Sequence, residues 1–178
     1  QVIKTCKDIL SHQDTKVEIL INNAGIYETH SFEKDGLAIW KRQIEGNLYS
    51  SVMITQALIP EFKRNQGGSI VNISSTLGIK PVAYTSAYSA AKAAMISWTQ
   101  SLSLELAKFK VRVNCVAPGI VDTPIHAGAS IEKMASAQPL GRVGTAEELA
   151  KSIVFMACED SAWTTGAVLA VDGGILIS

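Results

Sequence analysis

The chain has 178 residues, 47% of them hydrophobic and 18% charged, a composition that suits one globular domain with a sizeable core. Sixteen basic residues balance sixteen acidic ones, so no broad electrostatic field would recruit nucleic acid or an anionic membrane, and a small-molecule partner is expected. No apolar run approaches the roughly 18 residues of a membrane span, and Cys6, Cys115 and Cys158 lack the spacing of a disulfide framework or zinc knuckle, which suits a reducing cytoplasm.

Gln1 opens the chain inside a helical pattern of Val2, Ile3, Cys6, Ile9 and Leu10, so the natural start is expected upstream. Four short apolar runs, residues 18–22, 69–73, 111–117 and 167–171, have the length of strands buried on both faces. Longer helical patterns separate them. Residues 40–62 set Ile44, Leu48, Val52, Thr55, Leu58, Ile59 and Phe62 on one stripe, with Pro60 as the weak point. Residues 88–108 carry Met95, Trp98, Leu102 and Leu106 on one side among small residues. Thr145 and Glu148 form a capping box that starts a third helix running to about residue 158. Strand and helix in alternation predict an α/β layer fold with a parallel sheet. The least patterned stretch, 122–144, reads as a loop, and its apolar and small residues suit a lid over a pocket.

The chemistry concentrates at Tyr88 and Lys92, four residues apart and therefore on one helical face. A nearby ammonium favours the phenolate, so Lys92 is expected to lower the Tyr88 pKa toward a useful acid/base range. Taken alone, such a pair more often means packing and a solvated charge. Ser75, thirteen residues earlier, stands where an apolar strand ends, the edge at which open α/β sheets bind ligands. Its hydroxyl can hold a substrate oxygen while the tyrosine moves the proton. Asn47, on or beside the first stripe, is an amide that needs partners if buried. His12, His30 and His126 are scattered without metal-ligand spacing, so no catalytic metal is expected.

Asn22-Asn-Ala-Gly25 after a strand, Asn47 in a helix, Ser75, Tyr88-xxx-Lys92, Asn114-Cys-Val-Ala-Pro-Gly119 with Thr123, Thr165-Gly and Asp172-Gly-Gly174 together resemble the short-chain dehydrogenase/reductase family across essentially the whole chain. The resemblance implies one Rossmann-like domain over 1–178, a doubly wound parallel sheet. Its first strands and glycine-rich turn, at least two strand-helix units or roughly 60 residues, are missing from the chain. It implies Tyr88 as acid/base, Lys92 holding the nicotinamide ribose, Ser75 orienting the carbonyl and Asn47 holding a relay water. Asn23, Ala24 and Gly25 would line the adenosine side of NAD or NADP, and Pro118, Gly119, Val121 and Thr123 would border the nicotinamide and phosphates. Asn22 is read as structural. The implied reaction is reversible hydride transfer between NAD(P)H and a carbonyl, similar to 3-oxoacyl reductases or sugar and alcohol dehydrogenases. The implied assembly is a homodimer or homotetramer paired through the two long helices. Extended epimerases share the Tyr-xxx-Lys pair but append a longer substrate region. The competing class is a non-catalytic relative that acts by binding or assembly.

Overall fold

A computed structural model of the protein describes Thr5, Cys6, Asp8 and residues 16–34, 36–126 and 130–178. The helical pattern expected over the first ten residues therefore lies mostly outside the described residues.

Four strands, β1 (Ile19–Asn22), β2 (Gly68–Ile73), β3 (Val111–Pro118) and β4 (Val168–Val171), form one sheet in sequence order with every neighbouring pair parallel. Each strand lies within a residue of its expected run, because parallel strands between helical layers are read as continuous apolar segments. The expectation of burial on both faces holds for β2 and β3 only. β1 and β4 are edge strands in the described sheet, and Ile19 and Ile21 are 47% and 38% exposed.

The first long helix begins earlier than expected and is broken in pitch: α1 (Leu37–Ile44), a π turn (Glu45–Tyr49) and α2 (Ser50–Asn65) run continuously. In the π turn the Ser50 N–H reaches back five residues to the Glu45 carbonyl, while the Ser50 hydroxyl donates to the Gly46 carbonyl. The wider turn shifts the buried stripe. Gln43, Asn47, Ser51, Thr55, Leu58 and Phe62 face inward, and Ile44, Leu48 and Val52 are only half-buried, which corrects the expected stripe in its first half. Pro60 sits on the exposed side of α2 without ending it.

Helix α3 (Ser86–Leu106) starts two residues before its expected position, with Met95, Leu102 and Leu106 buried. A short α4 (Ile131–Ser136) lies in the region read as loop, and α5 (Ala146–Ala157) starts with the expected capping box at Thr145 and Glu148. The sheet's two faces follow the two-residue period of the strands. Ile70 and Val113 pack with Leu58, Phe62, Leu102 and Leu106 on the α2 and α3 side, whereas Val71, Ile73 and Val116 pack with Met156 of α5. This three-layer arrangement brings the ends of β1, β2 and β3 together at one rim, with α3 crossing above it.

Candidate active site

Beneath the rim runs a row of polar side chains in register: Asn22 of β1 is paired with Asn72 of β2, and Asn72 with Cys115 of β3. Asn22 donates to Thr55 at 2.9 Å and to the Asn72 side-chain oxygen at 2.7 Å, and Asn72 donates to Thr99 at 2.8 Å. The Thr99 hydroxyl in turn donates to the Met95 carbonyl. These bonds tie α2, both strands and α3 together, so Asn22 is a structural residue.

At the carboxyl end of β2 the chain turns sharply. The Ser74 N–H donates to the Val116 carbonyl and its hydroxyl to the Lys92 carbonyl at 2.7 Å, which fixes α3 against the strand end. Ser75 follows in extended conformation, and its hydroxyl accepts the Leu77 N–H. Gly78 then passes so near α3 that a Cβ there would lie 2.7 Å from the Lys92 carbonyl carbon. That approach, which the sequence reading did not single out, lets Ser75 face Tyr88 in the first turn of α3. The Ser75 hydroxyl acts on the Tyr88 phenol and favours its ionised form.

Lys92, one turn further on and 4% exposed, donates to the Ile73 carbonyl at 2.9 Å, with its Nζ 5.7 Å from the centre of the Tyr88 ring. The expectation that Lys92 lowers the Tyr88 pKa is not met. Burial is the largest influence and raises the phenol, the Ser75 hydroxyl lowers it, and Tyr27 raises it further. Burial likewise pushes Lys92 down to about 8. With its ammonium turned to the strand end, Lys92 keeps two of its three donors for other partners.

Asn47 is fully buried at the π turn. Its side-chain oxygen accepts the Ile26 N–H at 3.0 Å and its amide donates to Gln43 at 2.8 Å. Both ends of this amide are thus engaged by the protein, and the first of them holds the Asn23–Gly25 turn. A Cβ on Gly25 would lie 2.8 Å from the Asn47 oxygen and 3.5 Å from the Lys92 Nζ, so this turn lies over both. Gln43, missed in the sequence, was legible as the residue four before Asn47; it is fully buried, and its own amide nitrogen has no partner among the described residues.

The structure therefore brings Asn47, Ser75, Tyr88 and Lys92 to one rim together with Asn23, Ala24 and Gly25, which are exposed. From the far side Pro118 and Val121 are buried, and Gly119 and Thr123 are half-buried. A Cβ on Gly119 would lie 2.8 Å from the Asp172 backbone, so this glycine serves the crossing of two chain segments. A nicotinamide cofactor fits the donor set, since Lys92 has unused donors beside an open turn. A protonated Tyr88 paired with Ser75 can give a proton to an oxygen bound between the two hydroxyls. Among the described residues no group of three or more His, Cys, Asp or Glu side chains is placed to hold a metal ion.

Comparison with known proteins agrees with this geometry. The family described as enoyl-(acyl carrier protein) reductase matches residues 1–176. The 3-oxoacyl-[acyl-carrier-protein] reductase FabG of Chlamydia muridarum is 38% identical over 162 residues, 89% of this chain and 65% of the relative. Among solved structures, a short-chain dehydrogenase/reductase from Burkholderia xenovorans superposes with a TM-score of 0.93 at 31% identity, over 99% of this chain and 70% of that one. ElxO with NADP bound superposes with a TM-score of 0.92 at 30% identity, over all of this chain and 74% of that one. The chain thus spans about two thirds of the length of the curated relative it matches.

Proposed function

The chain belongs to the short-chain dehydrogenase/reductase family, and from that premise we propose that its protein is an NAD- or NADP-dependent oxidoreductase acting on a carbonyl or alcohol. The observation that carries this reading is the Ser75–Tyr88 hydroxyl pair held at the strand end above a buried Lys92. The nicotinamide, when bound, supplies or accepts the hydride. Lys92 offers its unused donors to the ribose, and the exposed Asn23–Gly25 turn borders the adenosine side, with Pro118, Gly119, Val121 and Thr123 on the other. A substrate oxygen lies between the Ser75 and Tyr88 hydroxyls, and Tyr88, kept protonated by burial, gives its proton to the oxygen as negative charge develops there. ElxO, a close structural neighbour, binds NADP, and FabG is a 3-oxoacyl reductase; both support the class of reaction, and neither selects the substrate or the cofactor for this chain.

Asn47 acts in this reading through its grip on Ile26, which holds the Asn23–Gly25 turn, since its side-chain amide is already engaged. Residues 122–144 would cover the substrate: the stretch leaves and returns at a neck where the Asp122 N–H donates to the Gly144 carbonyl and the Gly144 N–H to Ile120. Exposed Tyr49 and Met53 near the start of α2 and Leu104 on α3 support pairing of these helices in a homodimer or homotetramer. A cytoplasmic location is consistent with three free cysteines and with the absence, among the described residues, of any helix able to cross a membrane.

The test is oxidation of NADPH or NADH by the whole protein, followed at 340 nm with 3-oxoacyl thioesters and simple ketones. Substrate-dependent turnover supports the proposal. Tight cofactor binding without turnover for any carbonyl tested would favour the alternative, a family member that acts by binding or assembly.

A further inference from the structure

Tyr27 is the second residue after the Asn22–Gly25 motif, and the function just proposed does not use it. Its ring meets Tyr88 edge to face, with centroids 4.9 Å apart and planes at 79°. His126, in the 3-10 turn Pro124–His126 that follows β3, meets Tyr27 at 6.0 Å and 67°. Three rings from three separate segments thus converge on one side of the catalytic hydroxyls. Both geometries lie within the range that aromatic pairs prefer.

The wall is uncharged at neutral pH. Burial raises the Tyr27 phenol and lowers the His126 imidazole, the latter opposed only in part by Asp122. Arg42 is engaged by Glu28, the residue after Tyr27, which also meets His30. A carboxylate or phosphate placed against Tyr27 and His126 would meet two neutral rings and the Asp122 charge that acts on His126, with the Lys92 ammonium buried beside Tyr88, whereas a phenyl or cyclohexyl ring would find aromatic edges and faces.

We propose that Tyr27 and His126 form an aromatic subsite beside Ser75 and Tyr88, and that it selects substrates whose carbonyl carbon bears an uncharged ring. The inference rests on the reductase reading for its chemistry but concerns a different set of residues. Tyr27 is a specificity-determining residue here: half-buried, it touches both Tyr88 and His126, so a substituent on the carbonyl carbon would meet its ring.

The test compares acetophenone with 2-octanone, ketones of equal carbon number, by kcat/KM in the whole protein with its cofactor. Replacing Tyr27 by Leu keeps apolar cover over Tyr88 and removes the ring. The ratio of ring to straight-chain kcat/KM is expected to fall roughly five- to tenfold in Tyr27→Leu and about two- to fivefold in His126→Leu, the range that aromatic pair energies support. Tyr27→Phe keeps the ratio within about twofold on the same ground. Unchanged ratios in both leucine variants overturn the subsite while leaving the reductase reading intact. If the parent protein turns over neither ketone, the subsite is read instead by nuclear magnetic resonance, and the reductase reading fails only if 3-oxoacyl thioesters are left unreduced as well. Acetophenone that shifts the His126 ring protons then supports it, and resonances that stay in place overturn it.

Discussion

Two clusters of buried polar side chains share the same face of the sheet and differ in how fully they use one another. In the first, Thr55, Asn22, Asn72 and Thr99 bond side chain to side chain from α2 through two strands to α3, and none is more than 4% exposed. In the second, Ser75, Tyr88 and Lys92 sit at the rim, and Ser75 and Tyr88 are slightly more open, at 9% and 8%. Lys92 spends one donor on Ile73, and the turn at Asn23–Gly25 above it is exposed. Most buried polar atoms of both clusters find partners, the Asn22 side-chain oxygen being an exception in the first. The first ties the layers together beneath the sheet's rim, whereas the second keeps Lys92 donors unused beside the exposed Asn23–Gly25 turn. What separates the polar core from the proposed catalytic site is therefore position, with unspent donors at an open edge in the second, since burial is nearly the same in both.

The sharpest way to break that contrast is Tyr88→Phe, which removes one hydroxyl from the open cluster and leaves its ring against Tyr27. Loss of a general acid is expected to cut kcat/KM by roughly 10²- to 10⁴-fold. The midpoint of thermal unfolding should move little, because phenylalanine keeps the ring contact with Tyr27. A fall of less than about tenfold would remove Tyr88 from the chemistry.

Asn72→Leu tests the closed cluster. It takes the acceptor from Asn22 and the donor from Thr99, leaving two buried polar groups short of a partner at about 1–3 kcal/mol each. Urea unfolding should show a loss of about 2–6 kcal/mol on that basis, while kcat/KM per folded molecule stays within a fewfold of the parent. Activity lost without stability would mean that the two clusters act as one. Gly78→Ala presses on the junction between them, since its Cβ must displace the Lys92 backbone. Overpacking of this kind costs about 1–3 kcal/mol and should lower activity in the same variant.

Much of this organisation was legible in advance, for reasons that differ by element. The strands were readable because β2 and β3 are covered on both faces and so carry unbroken apolar runs; the same reasoning overstated the burial of β1 and β4, whose edge position belongs to sheet order. The spacing of Tyr88 and Lys92 correctly placed both on one face of α3. It could not reveal that the ammonium would turn to the Ile73 carbonyl, because that bond depends on where β2 ends. Nothing in Glu45-Gly-Asn-Leu-Tyr49 marks a π turn, so the apolar positions Ile44, Leu48 and Val52 suggested a stripe that the extra residue in the turn rotates toward Gln43, Asn47 and Ser51. Gly78 and Tyr27 were missed because their roles exist only where distant segments meet.

Cys115 lies between the clusters, in register with Asn72 and electrostatically coupled to Lys92, and it provides the finest probe of how separate they are. Lys92 titrates at about 8 when folded against an ordinary 10.5. Between those values the unfolded chain binds the extra proton, so stability rises with pH. Cys115 does the reverse: burial raises its thiol from 9.0 to about 11, so the unfolded chain loses the proton first and stability falls across that window. From pH 8 to 9 the lysine dominates, giving a gain of about 1 kcal/mol, and above pH 9 the two effects oppose each other. In urea unfolding followed across pH 7–11, the gain should disappear in Lys92→Met and persist toward pH 10.5 in Cys115→Ala, each relative to the parent protein. If Lys92→Met keeps the rise between pH 8 and 9, the lysine is more hydrated than its burial implies, and the open cluster reaches deeper into the sheet than Ser75 and Tyr88 alone indicate.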